Sequence, residues 1–358
     1  MGKKLIFLGI ETSCDETAAS VVQENPDGTA KVLSNVISSQ IKEHEKFGGV
    51  VPEIAARSHA ENIDFIVGKA LNDGKKDLKD IDGIAATAGP GLIVCLNVGY
   101  NLAKSLAAFS KKPFLSINHL EGHALSPGIE NKISFPYLVL LVSGGHSQYL
   151  IAKDVNDYKQ IGTTIDDAVG EAFDKTAKIL GLAYPGGPEI ERIAKLGDKY
   201  TYDLPEPIIN RAGCNLSLAG LKTAVLRKSK EISSSKEKYN LAASFQETIN
   251  KILLKKTRVA MKEFREETQN ISQRPFVIVG GVAANNSIRK NLKDLSKKTN
   301  FKPVFPSKEF CGDNAAMIAW AGIQRYNKKL FSKIPDNVKS RWPLDLDAPF
   351  LKGPGLKL

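Results

Sequence analysis

The sequence predicts an α/β protein built from two halves of one duplicated fold. In the first half, an apolar run at residues 5–10 ends in a polar turn, and a second apolar run follows at residues 18–22. The same order of strand, turn and strand recurs at residues 137–142 and 149–152. The two copies lie roughly 130 residues apart, far beyond the period of solenoid repeats, so the pattern indicates a duplicated domain.

The bulk composition is that of an ordinary globular protein. The chain has 358 residues, of which 42% are hydrophobic and 25% charged, and this length suffices for two packed domains. Its long apolar runs, such as those at residues 137–142 and 276–279, are too short to span a bilayer, and no targeting segment is recognisable before the first strand. We therefore expect a protein that contacts no membrane and works in the cytoplasm rather than in the mitochondrial matrix.

The cysteine spacing indicates the cellular compartment, and the net charge indicates the kind of binding partner. The four cysteines are scattered and form no Cys-x-x-Cys pair, which fits a reducing compartment and disfavours a zinc ribbon. Lys and Arg number 50 against 39 Asp and Glu, so the formal net charge is +11. This excess favours a polyanionic partner, with nucleic acid as the leading candidate, although lysine also serves solubility alone.

A pair of histidines follows the next predicted elements. Residues 97–109 have the pattern of an apolar helix after the breaker at residues 88–91, and residues 113–117 have that of a strand. This strand leads into His119 and His123, which are separated by three residues. On a helix both imidazoles lie on one face, which is metal-ligand spacing, and a solvated or packed helix face is the alternative.

The residues around the histidine pair disfavour a zinc protease. A metalloprotease helix needs a glutamate directly after the first histidine, where the base lies beside the metal-bound water. Here that position is Leu120, and Glu121 lies about 200° around a helix from His119. Two histidines also leave a metal short of ligands. Asp313, at the start of an Ala-rich helix, is either a helix N-cap or the missing third ligand.

The turns of the two repeats have the chemistry of a nucleotide clamp. Residues 143–146, with the sequence Ser-Gly-Gly-His, follow a strand, and glycines there let backbone N–H groups approach a phosphate. A plain hairpin turn is the alternative. In the first repeat, residues 12–15 offer hydroxyls and one carboxylate in the equivalent place.

A third glycine turn lies near the end of the second half. Residues 276–279 are typical of a buried strand, and two glycines and a helix start follow. The segment resembles the adenosine-contacting turn of the actin-like ATPase fold. It is neither a Walker loop, since no Gly-Lys-Ser/Thr follows, nor a Rossmann fingerprint, which needs a third glycine. Asn285 would then hydrogen-bond a ribose or base, and a helix N-cap is the alternative.

In order along the chain, these motifs resemble one family, the tRNA threonylcarbamoyladenosine transferases. That family has the duplicated actin-like ATPase (ribonuclease H-like) fold, and the resemblance covers nearly the whole chain. The motifs that carry it are residues 9–17, His119 with His123, and residues 142–146, 166–175, 184–188, 280–285 and 313–314.

The resemblance implies a reaction and a role for each site residue. The threonylcarbamoyl group would pass from threonylcarbamoyl-AMP to the exocyclic amine of the adenosine 3′ of the anticodon, in tRNAs reading codons that begin with A, and AMP would leave. His119, His123 and Asp313 would hold one divalent metal, iron (Fe²⁺) or zinc, and Asp15 would orient or deprotonate the amine. The remaining residues would bind the substrate: Val142, Ser143, Gly144, Gly145, His146, Asp174, Gly187 and Asn285.

The resemblance also implies two lobes with a nucleotide and metal cleft between them. We expect an N-terminal lobe at residues 1–128, joined by residues 326–358, and a C-terminal lobe at residues 129–325 with an inserted subdomain at about 185–221. Asp313 would lie in the second lobe, so the metal would tie the two lobes together. The partners it implies are tRNA and either a degenerate paralogue with a small ATPase subunit or a second copy in a homodimer.

Two other classes of protein stay open. A kinase or ATPase of the same superfamily would use magnesium and an acidic residue, but the histidine pair disfavours it because magnesium prefers oxygen ligands. A non-catalytic scaffold subunit would be expected to lack one of His119, His123 and Asp313, and all three are present.

Overall fold

The chain folds into two compact units. The computed structural model describes residues 4–269, 271–332 and 337–349. Unit 1 contains the described residues up to 134, together with residues 154–157 and those between 306 and 346. Unit 2 contains residues 135–153, the described residues between 158 and 305, and residues 347–349. Each unit holds one five-stranded sheet and is described by itself.

Unit 1 has a mixed sheet with helices on both faces. Its elements are β1 (Ile6–Glu11), β2 (Glu16–Glu24), β3 (Ala30–Ser39), α1 (Ile41–Glu45), α2 (Pro52–Asp73), β4 (Gly83–Gly89), α3 (Ile93–Ser110), β5 (Phe114–Asn118), α4 (His119–Leu125) and the returning helix α10 (Ala315–Asn327). The strand order is β3-β2-β1-β4-β5. β1 is antiparallel to β2 and parallel to β4, and β4 is parallel to β5.

The two faces of this sheet bury different helices. On one face α2 and α3 pack apolar side chains, such as Ile63 and Ala103, against Leu8 and other apolar residues of the sheet. On the other face α10 lies close to β1, because Gly9 has no side chain. A Cβ at Gly9 would lie only 2.2 Å from the carbonyl oxygen of Ala315. This close approach brings the start of α10 to the carboxyl end of β1.

Unit 2 repeats the same topology. Its elements are β6 (Tyr137–Val142), β7 (Ser147–Asp154), β8 (Asp157–Thr163), α5 (Val169–Ile179), α6 (Gly186–Ala194), α7 (Ala219–Ser229), α8 (Ser235–Glu267), β9 (Pro275–Val279), α9 (Asn286–Lys298) and β10 (Lys302–Val304). The strand order is β10-β9-β6-β7-β8. As in unit 1, the first strand in sequence is central, antiparallel to the second and parallel to the fourth.

The duplicated α/β fold that the sequence predicts is therefore confirmed. The order of strands is the same in both sheets once β6 is matched to β1 and β9 to β4. The predicted strands at residues 5–10 and 137–142 are β1 and β6. The helix predicted at 97–109 is the greater part of α3, which begins earlier, at Ile93.

The division into units differs from the predicted lobes at several places: residues 129–134 and 154–157 belong to unit 1, and residues 347–349 belong to unit 2. Residues 306–325, predicted in the C-terminal lobe, belong to unit 1, because α10 packs on β1 and β4. Of the predicted segment 326–358, residues 333–336 and 350–358 lie outside the described residues. The predicted insertion at about 185–221 lies within unit 2.

Across residues 4–269, 271–332 and 337–349, no helix is both long enough and apolar enough to cross a bilayer.

Candidate functional site

The polar residues of unit 1 converge at the carboxyl ends of three parallel strands. Glu11 is the last residue of β1, Thr87 lies near the end of β4, and His119 directly follows β5. Because β1, β4 and β5 are parallel neighbours, their carboxyl ends meet at one edge of the sheet. Open α/β sheets bind their ligands at this edge.

The histidine pair lies on a short, fully buried helix. All residues of α4 are buried, and the Asn118 side chain caps the helix by accepting a hydrogen bond from the Leu120 N–H at 2.9 Å. The spacing of four residues sets His119 and His123 on the same face, as the sequence predicts. Their ring centroids are 4.8 Å apart and the rings are perpendicular.

Asp313 completes a group of three ligand-type side chains. Its Oδ1 lies 3.4 Å from Nε2 of His119 and 3.1 Å from Nε2 of His123. One ligand-type atom from each of the three residues lies within 4.8 Å of the other two. Two imidazole nitrogens and one carboxylate oxygen are a ligand set typical of zinc or non-haem iron, with positions left for substrate. The Asp313 side chain is 24% exposed, so the group meets solvent on that side.

This arrangement corrects the predicted position of the metal group. The predicted lobes put Asp313 opposite the histidines, so that a metal would join the two lobes. In the structure all three residues belong to unit 1, because α10 returns to the first sheet. Asp313 itself precedes Asn314, whose side chain caps α10, so Asp313 is not the N-cap.

A second carboxylate lies behind His119. Oε2 of Glu11 is 3.0 Å from Nδ1 of His119, and the Thr87 hydroxyl donates to the same oxygen. Ser13 donates its backbone N–H to the other oxygen of Glu11. A histidine that ligates through Nε2 usually has its Nδ1 oriented by a carboxylate in this way. Sequence reasoning included Glu11 in a motif but gave it no role.

The charges of these groups shift one another's pKa values. Burial lowers the pKa of His119, but the Asp313 and Glu11 carboxylates outweigh burial and hold that pKa well above its usual range. Burial raises the pKa of Asp313, yet the charge and hydrogen bond of His119 take it well below its usual range. For Glu16, burial and the charges of Asp313 and Asp15 raise the pKa well above the usual range. A bound cation would offset this concentration of negative charge.

Glu121 faces away from the metal group, as the helical period predicts. Its carboxylate is buried and accepts hydrogen bonds from Nε of Arg325 and, at 2.7 Å, from the N–H of Asn156. It is therefore an anchor between α4 and α10 and is not placed to act as a base beside the histidines. This geometry agrees with the exclusion of a zinc protease.

Asp15 lies in the turn between β1 and β2 and is 7% exposed. Its neighbour Cys14 is not a nucleophile candidate, because burial, followed by the charges of Asp15 and Asp313, raises the pKa of that thiol. A thiol that stays protonated supplies no thiolate. This leaves the Asp15 carboxylate as the candidate reactive group of this turn.

In unit 2, the predicted phosphate turn is a hairpin with two available amides. Ser143 donates its N–H to the carbonyl of His146 at 2.8 Å, which closes the turn between β6 and β7. In the described part of the chain, the N–H groups of Gly144 and Gly145 have no acceptor. A Cβ at either glycine would meet nothing within 4 Å. The turn therefore presents two amides to open space, which is the requirement for binding an oxyanion.

The end of β6 also contacts the third glycine turn. Val142, the last residue of β6, has its carbonyl oxygen only 2.3 Å from where a Cβ of Gly280 would lie. Gly280 has φ +93°, a conformation that favours glycine. This explains why a glycine follows β9 in the sequence, and it joins two of the predicted substrate turns.

Two other predicted substrate residues meet at the start of α6. Oδ1 of Asp174, on α5, accepts a hydrogen bond from the N–H of Gly186 at 2.8 Å. Gly187 follows, and a Cβ there would meet nothing within 4 Å. Asp174 thus holds the first residue of α6, and Gly187 leaves the space beside it open.

Asn285 is the N-cap of α9. Its Oδ1 accepts from the Ile288 N–H at 3.1 Å, and its Nδ2 donates to Oε1 of Gln246 at 2.9 Å. Gln246 also lines a cavity of about 220 Å³ between α6, α8 and α9. The other residues around this cavity are Ala194, Gly197, Lys199, Ala243, Glu247, Ser287, Lys290 and Asn291.

Several contacts around the histidine helix were missed from sequence. Nδ2 of Asn118 donates to the carbonyl of Trp342 at 2.9 Å, so the segment around Trp342 supports the cap of α4. Thr87 and Arg325 are equally ordinary in the sequence. Their roles follow from strand register and helix packing, so no local pattern could have identified them.

Known proteins were compared with the whole chain. The family model for tRNA N6-adenosine threonylcarbamoyltransferase matches residues 31–320. The protein of that name from Pelagibacter ubique (strain HTCC1062) is 56% identical over 358 residues, which is 100% of both chains. The one from Rickettsia rickettsii (strain Sheila Smith) is 50% identical over 342 residues, covering 95% of this chain and 98% of the relative.

A solved structure supports the fold alone. The crystal structure of T. kodakarensis HypF superposes with a TM-score of 0.61 at 14% sequence identity, covering 92% of this chain and 49% of that one. It agrees with the duplicated actin-like fold, and at this identity it carries no information on activity.

Proposed function

The chain belongs to the tRNA N6-adenosine threonylcarbamoyltransferase family, and from this premise we propose the following reaction. The threonylcarbamoyl group passes from threonylcarbamoyl-AMP to the exocyclic amine of the adenosine 3′ of the anticodon, in tRNAs that read codons beginning with A. The bond between the carbamoyl carbon and the phosphate oxygen breaks, a carbon–nitrogen bond forms, the amine loses one proton, and AMP leaves.

The observation that carries this proposal is the group formed by His119, His123 and Asp313, with Glu11 behind His119. A magnesium-dependent kinase of the same fold has no use for two imidazoles on one buried helix face. A degenerate scaffold subunit has no reason to keep a buried carboxylate that orients one of them.

We propose that these three residues hold one divalent metal, iron (Fe²⁺) or zinc. The donor set fits, because both imidazoles offer Nε2 toward the same carboxylate oxygen. When bound, the metal would supply a Lewis acid and a template for substrate oxygens. The protein's part is to hold His119 through Glu11 and to keep His123 buried and fixed on α4.

Asp15 is proposed to orient the incoming amine or to take its proton. An aromatic amine is a poor nucleophile, so orientation and proton removal both speed the attack. The support is that Asp15 lies in the turn after β1, and its charge, with that of Asp313, raises the pKa of Glu16. The two acids therefore act on the same small region of unit 1.

In unit 2, we propose that residues Val142 to His146 bind the phosphate and carbamoyl region. The unpaired amides of Gly144 and Gly145 support this role. Asp174, Gly187 and Asn285 would bind the adenosine and threonyl parts. Asp174 and Asn285 would do so while each also holds the start of a helix, and Asn285 is hydrogen-bonded to Gln246, which lines the cavity.

The partners of the reaction follow from the substrate and from the resemblance. The net charge of +11 supports binding of tRNA through its phosphates. Beyond tRNA, we propose that the chain works either with a degenerate paralogue and a small ATPase subunit or as a homodimer, and that it does so in the cytoplasm.

A reconstituted assay tests the proposal. The purified chain is incubated with a tRNA transcript, threonine, bicarbonate, ATP and an adenylate-forming enzyme, with and without the two partner proteins. Nucleoside mass spectrometry should detect threonylcarbamoyladenosine in the tRNA, with one AMP released per modified base. A matched transcript with guanosine in place of the acceptor adenosine should stay unmodified.

Failure of the proposal would also be visible in this assay. Unmodified tRNA under every partner condition, together with cleavage of a glycoprotein that stops when metal is removed, would overturn the transferase reaction. Equal modification of the guanosine transcript would overturn the proposed acceptor.

A further inference from the structure

His59 is a buried histidine on α2. It belongs neither to the metal group nor to the residues proposed to bind adenylate. Its Nε2 lies 3.0 Å from the carbonyl oxygen of Cys14, and its Nδ1 lies 2.7 Å from the hydroxyl of Thr17. Cys14 directly precedes Asp15 in the turn between β1 and β2, and Thr17 is the second residue of β2. A helix on one face of the sheet therefore reaches the turn that carries the proposed catalytic carboxylate.

The hydrogen-bond partners of His59 determine which of its ring nitrogens carries the proton. A backbone carbonyl can only accept, so Nε2 carries the proton and donates to Cys14. In the neutral ring Nδ1 is then the acceptor, and the Thr17 hydroxyl donates to it. The side-chain Nε2 of Gln40, another donor, lies 3.3 Å from the same nitrogen. Burial lowers the pKa of His59, which favours this neutral form.

Gln40 holds the other side of Asp15. Its backbone N–H donates to the carbonyl oxygen of Asp15 at 3.1 Å. Its side-chain Oε1 lies 3.2 Å from Nε2 of His44, which ties Gln40 in place. The carbonyls of Cys14 and Asp15 belong to the two peptide groups on either side of the Asp15 α-carbon. With both peptide planes held, the backbone of Asp15 is fixed, and so is the direction of its Cα–Cβ bond.

We propose that His59 is a positioning residue for Asp15: its hydrogen bond to the Cys14 carbonyl holds the carboxylate where the incoming amine needs it. The inference rests on the proposed role of Asp15 in the transfer reaction. A misplacement of about 1 Å at a reacting group can lower a rate by about 100-fold, so the loss of one such hydrogen bond is measurable.

Two substitutions separate positioning from simple packing. His59→Gln keeps an amide N–H at the place of the imidazole Nε2 and so keeps the donor to Cys14, whereas His59→Leu fills the space and removes the donor. We expect His59→Leu to lower the single-turnover transfer rate by about 100-fold. His59→Gln should restore most of the rate. Metal content and affinity for adenylate should be unchanged in both variants.

A control tests general destabilisation of α2. Ile63 lies one helical turn after His59, in the buried core of unit 1. It lies on the same helix as His59 but outside the segment 14–17 that carries Asp15. Ile63→Ala should lower the melting temperature, because it leaves a cavity, and should keep the transfer rate at the wild-type value. If Ile63→Ala lowers the transfer rate as much as His59→Leu does, the inference is overturned, because any loosening of α2 would then be enough to slow the transfer.

A double-variant cycle supplies the decisive comparison. If His59 acts only through Asp15, adding His59→Leu to Asp15→Asn should lower the rate no further than Asp15→Asn does alone. If the double variant instead loses the product of the two single-variant rate losses, the inference is overturned. A wild-type transfer rate for His59→Leu would also overturn it, as would equal rate losses in His59→Leu and His59→Gln. A wild-type rate for Asp15→Asn would instead remove the proposed role of Asp15 itself.

Discussion

At the residue scale, His119 is held from both sides by acids. Nδ1 faces Glu11 at 3.0 Å and Nε2 faces Asp313 at 3.4 Å. One carboxylate is therefore placed to orient the imidazole and the other is placed as a candidate ligand. The imidazole of His119 therefore has a fixed direction before any metal binds, which lowers the cost of ordering the site.

The first prediction concerns Glu11. Glu11→Gln removes the charge behind His119 while keeping the side-chain shape, so metal affinity should fall by about 10- to 100-fold. Competition with a chromogenic chelator measures this affinity. Glu24→Gln, in β2 of the same sheet, is the control and should bind metal as the wild type does. Wild-type affinity in Glu11→Gln would show that Glu11 has no influence on the ligand.

The second prediction is a pH dependence of metal binding. Metal requires neutral His119, whose pKa is held well above its usual range mainly by Asp313 and then Glu11, against burial. Affinity should therefore fall as pH decreases through this raised pKa. Without metal the sign is opposite, since the charged pair stabilises the fold below the unfolded pKa of about 6.5 and is lost as pH rises through the folded pKa.

The measurement is the shift in melting temperature that added zinc produces at each pH. This shift should grow as pH rises above about 6.5 and through the raised folded pKa of His119, because protons compete less with the metal. The double variant His119→Ala, His123→Ala should show no shift throughout. A zinc-induced shift that is largest at low pH would contradict the account.

The sequence identified the candidate ligands but not the residues that support them. His119, His123 and Asp313 stand out because their types and spacing are those of metal ligands. Thr87 does not, because its contact with Glu11 depends on how β4 aligns with β1. Such alignment is a property of the folded sheet and leaves no mark in a local stretch of sequence.

At the element scale, α4 is anchored to α10 through a buried ion pair. Arg325 donates through Nε to Glu121, and the two side chains are 11% and 0% exposed. Glu121 also accepts from the N–H of Asn156. The helix that carries both histidines is therefore bound to the helix that Asp313 precedes.

The third prediction follows from this pair. Arg325→Ala leaves a buried carboxylate without its cation and should lower the free energy of unfolding by about 3–5 kcal/mol, measured by urea denaturation. The matched control is Lys328→Ala, which breaks a half-exposed pair with Asp154 and should cost about 1 kcal/mol or less. Equal costs for the two variants would show that the buried pair is no anchor.

The fourth prediction concerns the hairpin between β6 and β7. A Cβ at Gly144 would meet nothing within 4 Å, so Gly144→Val should fold normally. Its branched side chain would cover the neighbouring amides, and adenylate affinity, measured by calorimetry, should fall by at least about tenfold, which corresponds to about 1.4 kcal/mol. A wild-type affinity in a folded Gly144→Val variant would leave the hairpin with a structural role only.

Gly280→Ala gives the contrasting case at the element scale. There a Cβ would lie 2.3 Å from the Val142 carbonyl, in a backbone conformation that favours glycine, so this variant should lose stability. The sequence predicted both turns because paired glycines after a strand have few other uses. It could not tell that one is open and the other is packed, because that depends on the neighbouring strand.

At the scale of the whole molecule, the two units share one topology and differ in their site residues. Unit 1 holds Asp15 and the three metal-ligand candidates, and unit 2 holds the predicted substrate residues. The sequence predicted the duplication from the repeated strand and turn pattern. It did not predict that α10 returns to the first sheet, because that return depends on small residues packing on Gly9 far away in the chain.

The central claim is that the group His119, His123 and Asp313 holds a metal that the transfer reaction needs. The most direct test counts metal atoms per chain and threonylcarbamoyladenosine per tRNA in the same preparations of wild type and the double variant His119→Ala, His123→Ala. We predict about one metal per wild-type chain, and loss of both metal and modified adenosine in a variant that remains folded by circular dichroism. Full metal content or undiminished modification in the folded variant would contradict the account.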